Sequence, residues 1–171
     1  DVPCINHVGA GDAFGAWLAL GLAHGLRLQE AARLAHAAGR VYVQHPHNRP
    51  PWVHEIRKEL DPVGGKVLRV LDLEGLRQST AGRVVWTNGC WRLPHAGHSW
   101  LLNWAKSQGD VLGVGVNSDV STFRVKEGRK CLPISERLHL LASQQAVDYV
   151  VVFEENTPIE CVKVLKPDLI V

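Results

Sequence analysis

The apolar positions of this chain recur with one spacing in its first third and another in its second half. In residues 1–60 the spacing is helical. An apolar run extends from Asp12 to His24, and in Leu28–Gly39 the residues Leu28, Ala31, Ala32, Leu34, Ala35 and Ala38 fall at helical intervals. Val41-Tyr42-Val43 reads as a short strand, and the prolines and Asn48 of His45–Pro51 read as a loop. Residues 61–82 hold Gly64-Gly65 and then Val67, Leu68, Val70, Leu71, Leu73 and Leu76 before Gly82, which predicts a linker with one short helix.

From Arg83 onward strands and helices alternate. Val84-Val85-Trp86-Thr87 reads as a buried strand, Gly97–Gln108 as a helix stopped by Gly109, and Val111–Val116 as the next strand. Ile134–Gln145 reads as a helix with Ser135 as N-cap, and Tyr149–Phe153 as a strand. Pro158–Leu165 reads as a helix with Thr157 as N-cap and Pro158 in its first position, and Leu169–Val171 starts a fourth strand. Alternation with short connections predicts an α/β fold, a Rossmann-like doubly wound parallel sheet with its ligand at the carboxyl ends of the strands. The expected organisation is a first segment over 1–60, a linker over 61–82 and the sheet domain over 83–171.

Composition narrows the partners. The chain is 46% apolar and 21% charged, as in an ordinary globular protein, and its net charge is only +2. Lys and Arg are scattered, so nothing points to a nucleic-acid surface, and a nucleotide or sugar phosphate is the easier anionic partner. The four cysteines, at 4, 90, 131 and 161, form no CxxC pair and read as free thiols of a reducing compartment. Ala13–Leu26 is broken by Gly15, Gly21, His24 and Gly25 and is too short to span a bilayer. The start lacks the pattern of a secretory signal. The expectation is a cytoplasmic chain with no membrane partner and a possible homodimer. It has no methionine and opens at Asp1-Val2-Pro3-Cys4, which predicts a piece of a longer polypeptide, incomplete in its sheet after Val171.

The chemistry concentrates in Thr87-Asn88-Gly89-Cys90-Trp91-Arg92-Leu93-Pro94-His95-Ala96-Gly97-His98. A glycine-bearing strand-to-helix turn is followed by two imidazoles three residues apart at a helix start. Unpaired N–H groups and a positive dipole end favour phosphate there. Gly97 removes a side chain where a phosphate must approach the backbone, and His95 and His98 can turn toward one ligand. Two histidines at a helix start can also simply cap it. Cys90, His95 and His98 are zinc-binding types as well, but no fourth ligand stands at a recognisable spacing. The six tryptophans include Trp91 in the turn, and Trp100 and Trp104 four apart on one helix face, where packing is expected. His45, His47 and His54 read as residues of a solvated loop.

His-x-Gly-His after such a turn resembles the signature of the nucleotidyltransferase superfamily, which includes cytidylyltransferases and adenylyltransferases. The nearer resemblance is to the sugar-phosphate adenylyltransferase half of the bifunctional heptose kinase/adenylyltransferase family, which makes ADP-heptose for lipopolysaccharide. It extends through Gly109–Leu112, Gly115–Asp119, Val147–Val151, Glu154–Pro158 and Lys166-Pro167-Asp168, about residues 64–171 in all. The resemblance implies an in-line attack by a sugar 1-phosphate on the α-phosphate of ATP, with Mg²⁺ on the triphosphate and pyrophosphate leaving. It implies that His95 and His98 donate to the phosphates, with Lys126 beside them and Arg137 as a helix-start phosphate ligand. Thr87, Asn88, Gly89 and Gly97 would line the phosphate turn, and Asn117 and Asp119 would touch ribose or sugar. The chain departs from the family at Trp91-Arg92, where Phe-Asp is usual, and at Pro94, where leucine is usual. The alternatives are a cytidylyltransferase for glycerol phosphate or a phospho-alcohol, and a nucleotide-binding domain that has lost catalysis.

Val8-Gly9-Ala10-Gly11-Asp12-Ala13-Phe14 opens an earlier helix. Two glycines let successive amides face one point, an anion nest, beside a carboxylate suited to taking a proton. Taken alone it also reads as a glycine turn with Asp12 capping a helix. It resembles the GAGD motif of ribokinase-like (PfkB-type) sugar kinases, over about residues 1–60. By that resemblance Asp12 is the base for the sugar hydroxyl, the Gly9, Ala10 and Gly11 amides hold the transferred phosphoryl group, and His36 lies near the adenine. The expected architecture is thus the C-terminal fragment of a kinase-like α/β domain, not expected to phosphorylate anything alone, followed by the nucleotidyltransferase sheet.

Overall fold

The computed structural model describes residues 4–45, 49–127 and 129–171. They form two compact units, Asp1–Gly65 and Lys66–Val171.

The first unit is helical: α1 (Ala10–Ala23), α2 (Leu28–Val43) and α3 (Val53–Leu60). Helix α2 is amphipathic, and Ala31, Ala35, Ala38, Val41 and Tyr42 are its buried face. That face corrects the expected strand at Val41–Val43. Valine and tyrosine favour strands in isolation, but here they continue the 3.6-residue stripe of the helix and are buried with it. Gly21 of α1 approaches α2 closely, since a Cβ there would stand 3.0 Å from the Ala31 Cβ. His54, expected in a loop, is a buried residue of α3. His45 pairs with Glu55, and His47 lies outside the described residues.

The second unit is a five-stranded parallel sheet in the order β1-β4-β3-β2-β5. Its strands are β1 (Val67–Leu68), β2 (Val84–Gly89), β3 (Val111–Asn117), β4 (Tyr149–Phe153) and β5 (Leu169–Ile170). The helices are α4 (Leu73–Ser79), α5 (Ala96–Ser107), α6 (Asp119–Val125), α7 (Ile134–Ala142) and α8 (Ile159–Leu165). The stretch expected as a linker over 61–82 is therefore mostly part of this unit. Val67 and Leu68 pair with Val150 and Val151 of β4, and Leu68, Leu73 and Leu76 enter the core. A two-residue strand has no period to read, which is why the sequence pattern shows only the helix.

Several element ends also differ. Helix α7 starts one residue before Ser135, with Pro133 as its N-cap, and Pro158 rather than Thr157 precedes the first turn of α8. Trp100 and Trp104 do not enter the core. They are 68% and 42% exposed and lie nearly parallel, ring centroids 6.3 Å apart.

The centre of the sheet is built around one indole. Trp86 of β2 is fully buried and lies across two glycines of β3. A Cβ on Gly113 would stand 3.1 Å from the Trp86 ring, and one on Gly115 only 2.6 Å from it and 2.9 Å from the Asn88 Cβ. Leu68, Phe153 and Leu165 share the same cluster, so the indole cannot swing away. Gly115→Ala is expected to cost about 1–3 kcal/mol by overpacking, read as a lower midpoint in urea denaturation with an unchanged slope.

Candidate functional site

Strands β2, β3 and β4 step one way across the sheet, and β5 returns to the other side of β2. Strand order therefore reverses at the carboxyl end of β2, where an open α/β sheet places its ligand. A cavity of about 430 Å³ opens at this point, within the roughly 300–1,000 Å³ of small-ligand sites. Asn88, Gly89, Arg92, His95, His98 and Lys126 give it polar lining, and Cys90, Trp91, Leu93 and Leu101 the rest.

The two histidines are locked by the helix they start. His95 is the N-cap of α5, and its Nδ1 accepts the Gly97 N–H at 3.2 Å. His98 Nδ1 accepts the His95 N–H at 3.2 Å. The rings stack with centroids 3.9 Å apart, and Trp91 tilts over His98 at 5.0 Å. With Nδ1 accepting in both rings, the neutral tautomer carries its proton on Nε2, and Nε2–H is each ring's remaining donor.

The turn therefore works differently from the sequence expectation. The amides of His95 and Gly97 are taken by imidazoles, so fewer bare amides remain at the helix start than the sequence implies. Gly97 has a local reason too: a Cβ there would stand 3.0 Å from His95 Cε1, so glycine makes room for the ring.

Arg137 is not in the cleft. It has no exposed surface and lies beneath it, spending its donors on the protein. Nη1 donates to the carbonyls of Cys90 at 2.8 Å and Asn117 at 2.7 Å, Nε to that of Leu132 at 2.9 Å, and Nη2 to Asp119 Oδ1 at 2.6 Å. A phosphate-ligand role does not suit a guanidinium so enclosed; it ties the ends of β2 and β3 to the starts of α6 and α7. Asn117 is likewise buried and structural, donating to Ser121 Oγ at 2.9 Å. Thr87 is buried and donates to the Val171 carbonyl across β2 and β5. Asp119 stands apart from the main cavity, on a smaller one of about 380 Å³ that Arg129 and Lys130 also line.

The segment after Asn117 is α6, whose N-cap Ser118 accepts the Ser121 N–H. Lys126 follows its last turn and does face the cavity. In the sequence Arg92 registers only as a departure from the family. In the structure it clamps the segment after Lys126, with Nε and Nη2 donating to the Lys130 carbonyl at 3.0 and 2.8 Å. Its own carbonyl accepts the Leu132 N–H. Trp91, at φ 49°, is buried and donates Nε1–H to the Gly115 carbonyl at 2.9 Å, so it is a wall of the site rather than a free stacking platform. No group of three His, Cys, Asp or Glu among the described residues is placed to hold a metal ion.

In the first unit Gly9 precedes α1 at φ 88°, and a Cβ there would collide with the Tyr42 hydroxyl, which donates to the Val8 carbonyl. Ala10, Gly11 and Asp12 form the first turn, with Asp12 exposed. Ala10, Gly11 and His36 line a shallow cavity of about 380 Å³, so the structure brings the glycine turn and His36 together. No helix of the described residues is long and apolar enough to cross a membrane.

Two outcomes follow from this geometry. Arg137→Leu strands three backbone carbonyls and the Asp119 carboxylate, and is expected to cost about 3–5 kcal/mol in chemical denaturation. Burial pushes the His98 imidazole below the ordinary value of 6.5, and the neighbouring His95 ring adds to that. The folded state therefore favours neutral His98. Its contribution to stability is complete above pH 6.5 and is lost as pH falls through the lower folded value. An NMR titration should place the His98 midpoint below that of a free imidazole, and His98→Asn should lessen the loss of stability in acid.

Comparison with known proteins agrees with this layout. Residues 2–54 match the pfkB family of carbohydrate kinases, and residues 86–171 the cytidylyltransferase-like family. The bifunctional protein HldE of Helicobacter pylori strain G27 is 41% identical over 164 residues, which cover 95% of this chain and 35% of that protein. The HldE protein of a Nitratiruptor species is 42% identical over 172 residues, covering 95% of this chain and 37% of its own. The chain thus spans about a third of the length of the curated relatives it matches. Among solved structures, the lipopolysaccharide core biosynthesis protein of Thermoplasma volcanium GSS1 aligns with 30% identity and a TM-score of 0.48, over 53% of this chain and 73% of that one. Since the matched segment makes up half of the chain and holds every residue lining the larger cavity, the chain belongs to the cytidylyltransferase-like family.

Proposed function

We propose that Lys66–Val171 transfers a nucleotidyl group from ATP to a sugar 1-phosphate of the heptose type, as one half of a bifunctional kinase and adenylyltransferase. The observation that carries this reading is the stacked His95–His98 pair, which lines a cleft together with Arg92 and Lys126. The order of the two matched families, carbohydrate kinase and then nucleotidyltransferase type, supports it, as does the bifunctional naming of the relatives.

The chemistry asks little beyond charge and position. A sugar-phosphate oxygen, ionised at neutral pH, forms a bond to the α-phosphorus. The bond from that phosphorus to the oxygen bridging to the β-phosphorus breaks, and pyrophosphate leaves with the electron pair. No side chain has to remove a proton. His95 and His98 donate to phosphate oxygens as charge moves onto them, Lys126 adds fixed positive charge, and Trp91 holds the His98 ring in place. The smaller cavity of Asp119, Arg129 and Lys130 offers a carboxylate for the sugar hydroxyls. In the first unit, Asp12 acts as the base of the kinase half, with the amides of Gly9 and Gly11 beside the transferred phosphoryl group; the Ala10 amide, expected with them, already donates to the His7 carbonyl at 3.2 Å.

Mg²⁺ is the cation such reactions use, but the residues here do not fit a protein-held one. Magnesium requires anionic oxygens. The described lining offers imidazoles, a thiol, an ammonium, a guanidinium and one neutral amide, with no carboxylate.

The test is calorimetric titration with ATP, CTP and GTP in magnesium buffer, alongside pyrophosphate release with a sugar 1-phosphate. ATP is expected to bind and turn over. Removing one well-placed donor should lower turnover by about 10²–10³-fold, so His95→Asn and His98→Asn should each reach that range with folding intact. Preference for CTP with glycerol phosphate would instead assign the chain to the cytidylyltransferase reading.

A further inference from the structure

The larger cavity combines two features that bear on how a polyphosphate is held. Its described lining has no carboxylate, yet it has two full cations, Arg92 and Lys126, besides the imidazoles. One of those cations is fixed. Arg92 donates Nε–H and one Nη2–H to the Lys130 carbonyl, while its backbone carbonyl accepts the Leu132 N–H. A guanidinium carries five N–H donors in a rigid plane, so two are used for anchoring and three remain. An anchored fork loses little side-chain freedom on meeting phosphate and can take two oxygens at once.

A divalent cation on a nucleotide lowers its charge and gathers the β- and γ-oxygens, and a protein usually meets it with carboxylates. Where carboxylates line a pocket, free nucleotide is repelled and the metal complex preferred. In this cleft the fixed charge is of the opposite sign, so the metal-free nucleotide is not repelled and needs no metal to be held.

On the reading that the cleft binds nucleotide for transfer, we propose that Arg92 takes the place of a divalent cation in gathering the polyphosphate, so that ground-state binding of ATP by this chain does not depend on Mg²⁺. Arg92 is then a binding residue as well as the clamp of the Arg129–Pro133 segment. The claim concerns binding only, and the transfer step keeps whatever metal requirement the leaving pyrophosphate imposes.

The experiment is calorimetric titration of ATP into the chain in excess Mg²⁺ and again in excess EDTA, with Arg92→Lys and Arg92→Asp variants in parallel. Circular dichroism and melting curves establish that each variant is folded. The intact chain should bind equally in both buffers, within about threefold. Arg92→Lys keeps the charge without the fork, and should bind free ATP more weakly than the intact chain, with part of the loss restored by Mg²⁺. Arg92→Asp reverses the charge and should lose about tenfold or more in EDTA, with much of the loss restored by Mg²⁺. Binding by the intact chain that falls about tenfold or more on removing Mg²⁺ overturns the inference and leaves the proposed function standing. Failure of ATP to bind in either buffer overturns both, and the two failures are told apart by the magnesium arm alone. The comparison on the intact chain decides the matter even if Arg92→Asp does not fold.

Discussion

A guanidinium without exposed surface holds the working end of this sheet together. Burying a charge is expensive unless its hydrogen bonds are satisfied, and Arg137 meets that condition with three main-chain carbonyls and one carboxylate. Each partner belongs to a different piece of chain: the turn after β2, the end of β3, the start of α6 and the approach to α7. A parallel sheet leaves its strand ends to diverge into loops, and here one side chain collects them. The cleft above inherits its shape from that knot. Trp91 and the turn toward His95 start from Cys90, whose carbonyl Arg137 grips, and the wall bearing Lys126 continues from Asp119.

The second layer of control is local to α5. A helix start has donors in need of acceptors, and in this chain the acceptors are the imidazoles themselves. Capping takes one nitrogen of each ring: Nδ1 is committed to the helix, and Nε2 is left to carry the proton of the neutral imidazole. Ring orientation and tautomer are set before any ligand arrives.

Much of this is legible in the sequence. The apolar runs of Val84–Thr87, Val111–Val116 and Tyr149–Phe153 identify buried parallel strands because both faces are covered and no alternation is needed. The His-x-Gly-His turn marks the candidate site, and the structure brings Asn88, Gly89, His95, His98 and Lys126 to one cavity. What escapes has physical causes. Helix α6 spans only Asp119–Val125 and is rich in β-branched residues, so no apolar stripe announces it. Val41 and Tyr42 look like strand residues until the helix before them is seen to continue through them. Arg137, Asn117 and Thr87 look like ligands because polar residues near a phosphate turn invite that reading; only packing shows that backbone and neighbours already use them. Arg92 cannot be placed from sequence because its partner, the Lys130 carbonyl, lies 38 residues away.

The contact between Trp86 and the glycines of β3 also constrains how this sequence can change over time. An indole over glycine is one volume divided unequally between two strands. Reducing the indole alone opens a void, and enlarging a glycine alone creates a clash, so each single step is unfavourable although both together conserve volume. A lineage in this state is held at a local optimum: the pair can be exchanged only through a less stable ancestor or by two changes at once. Variation at Trp86 and Gly115 should accordingly be correlated rather than independent.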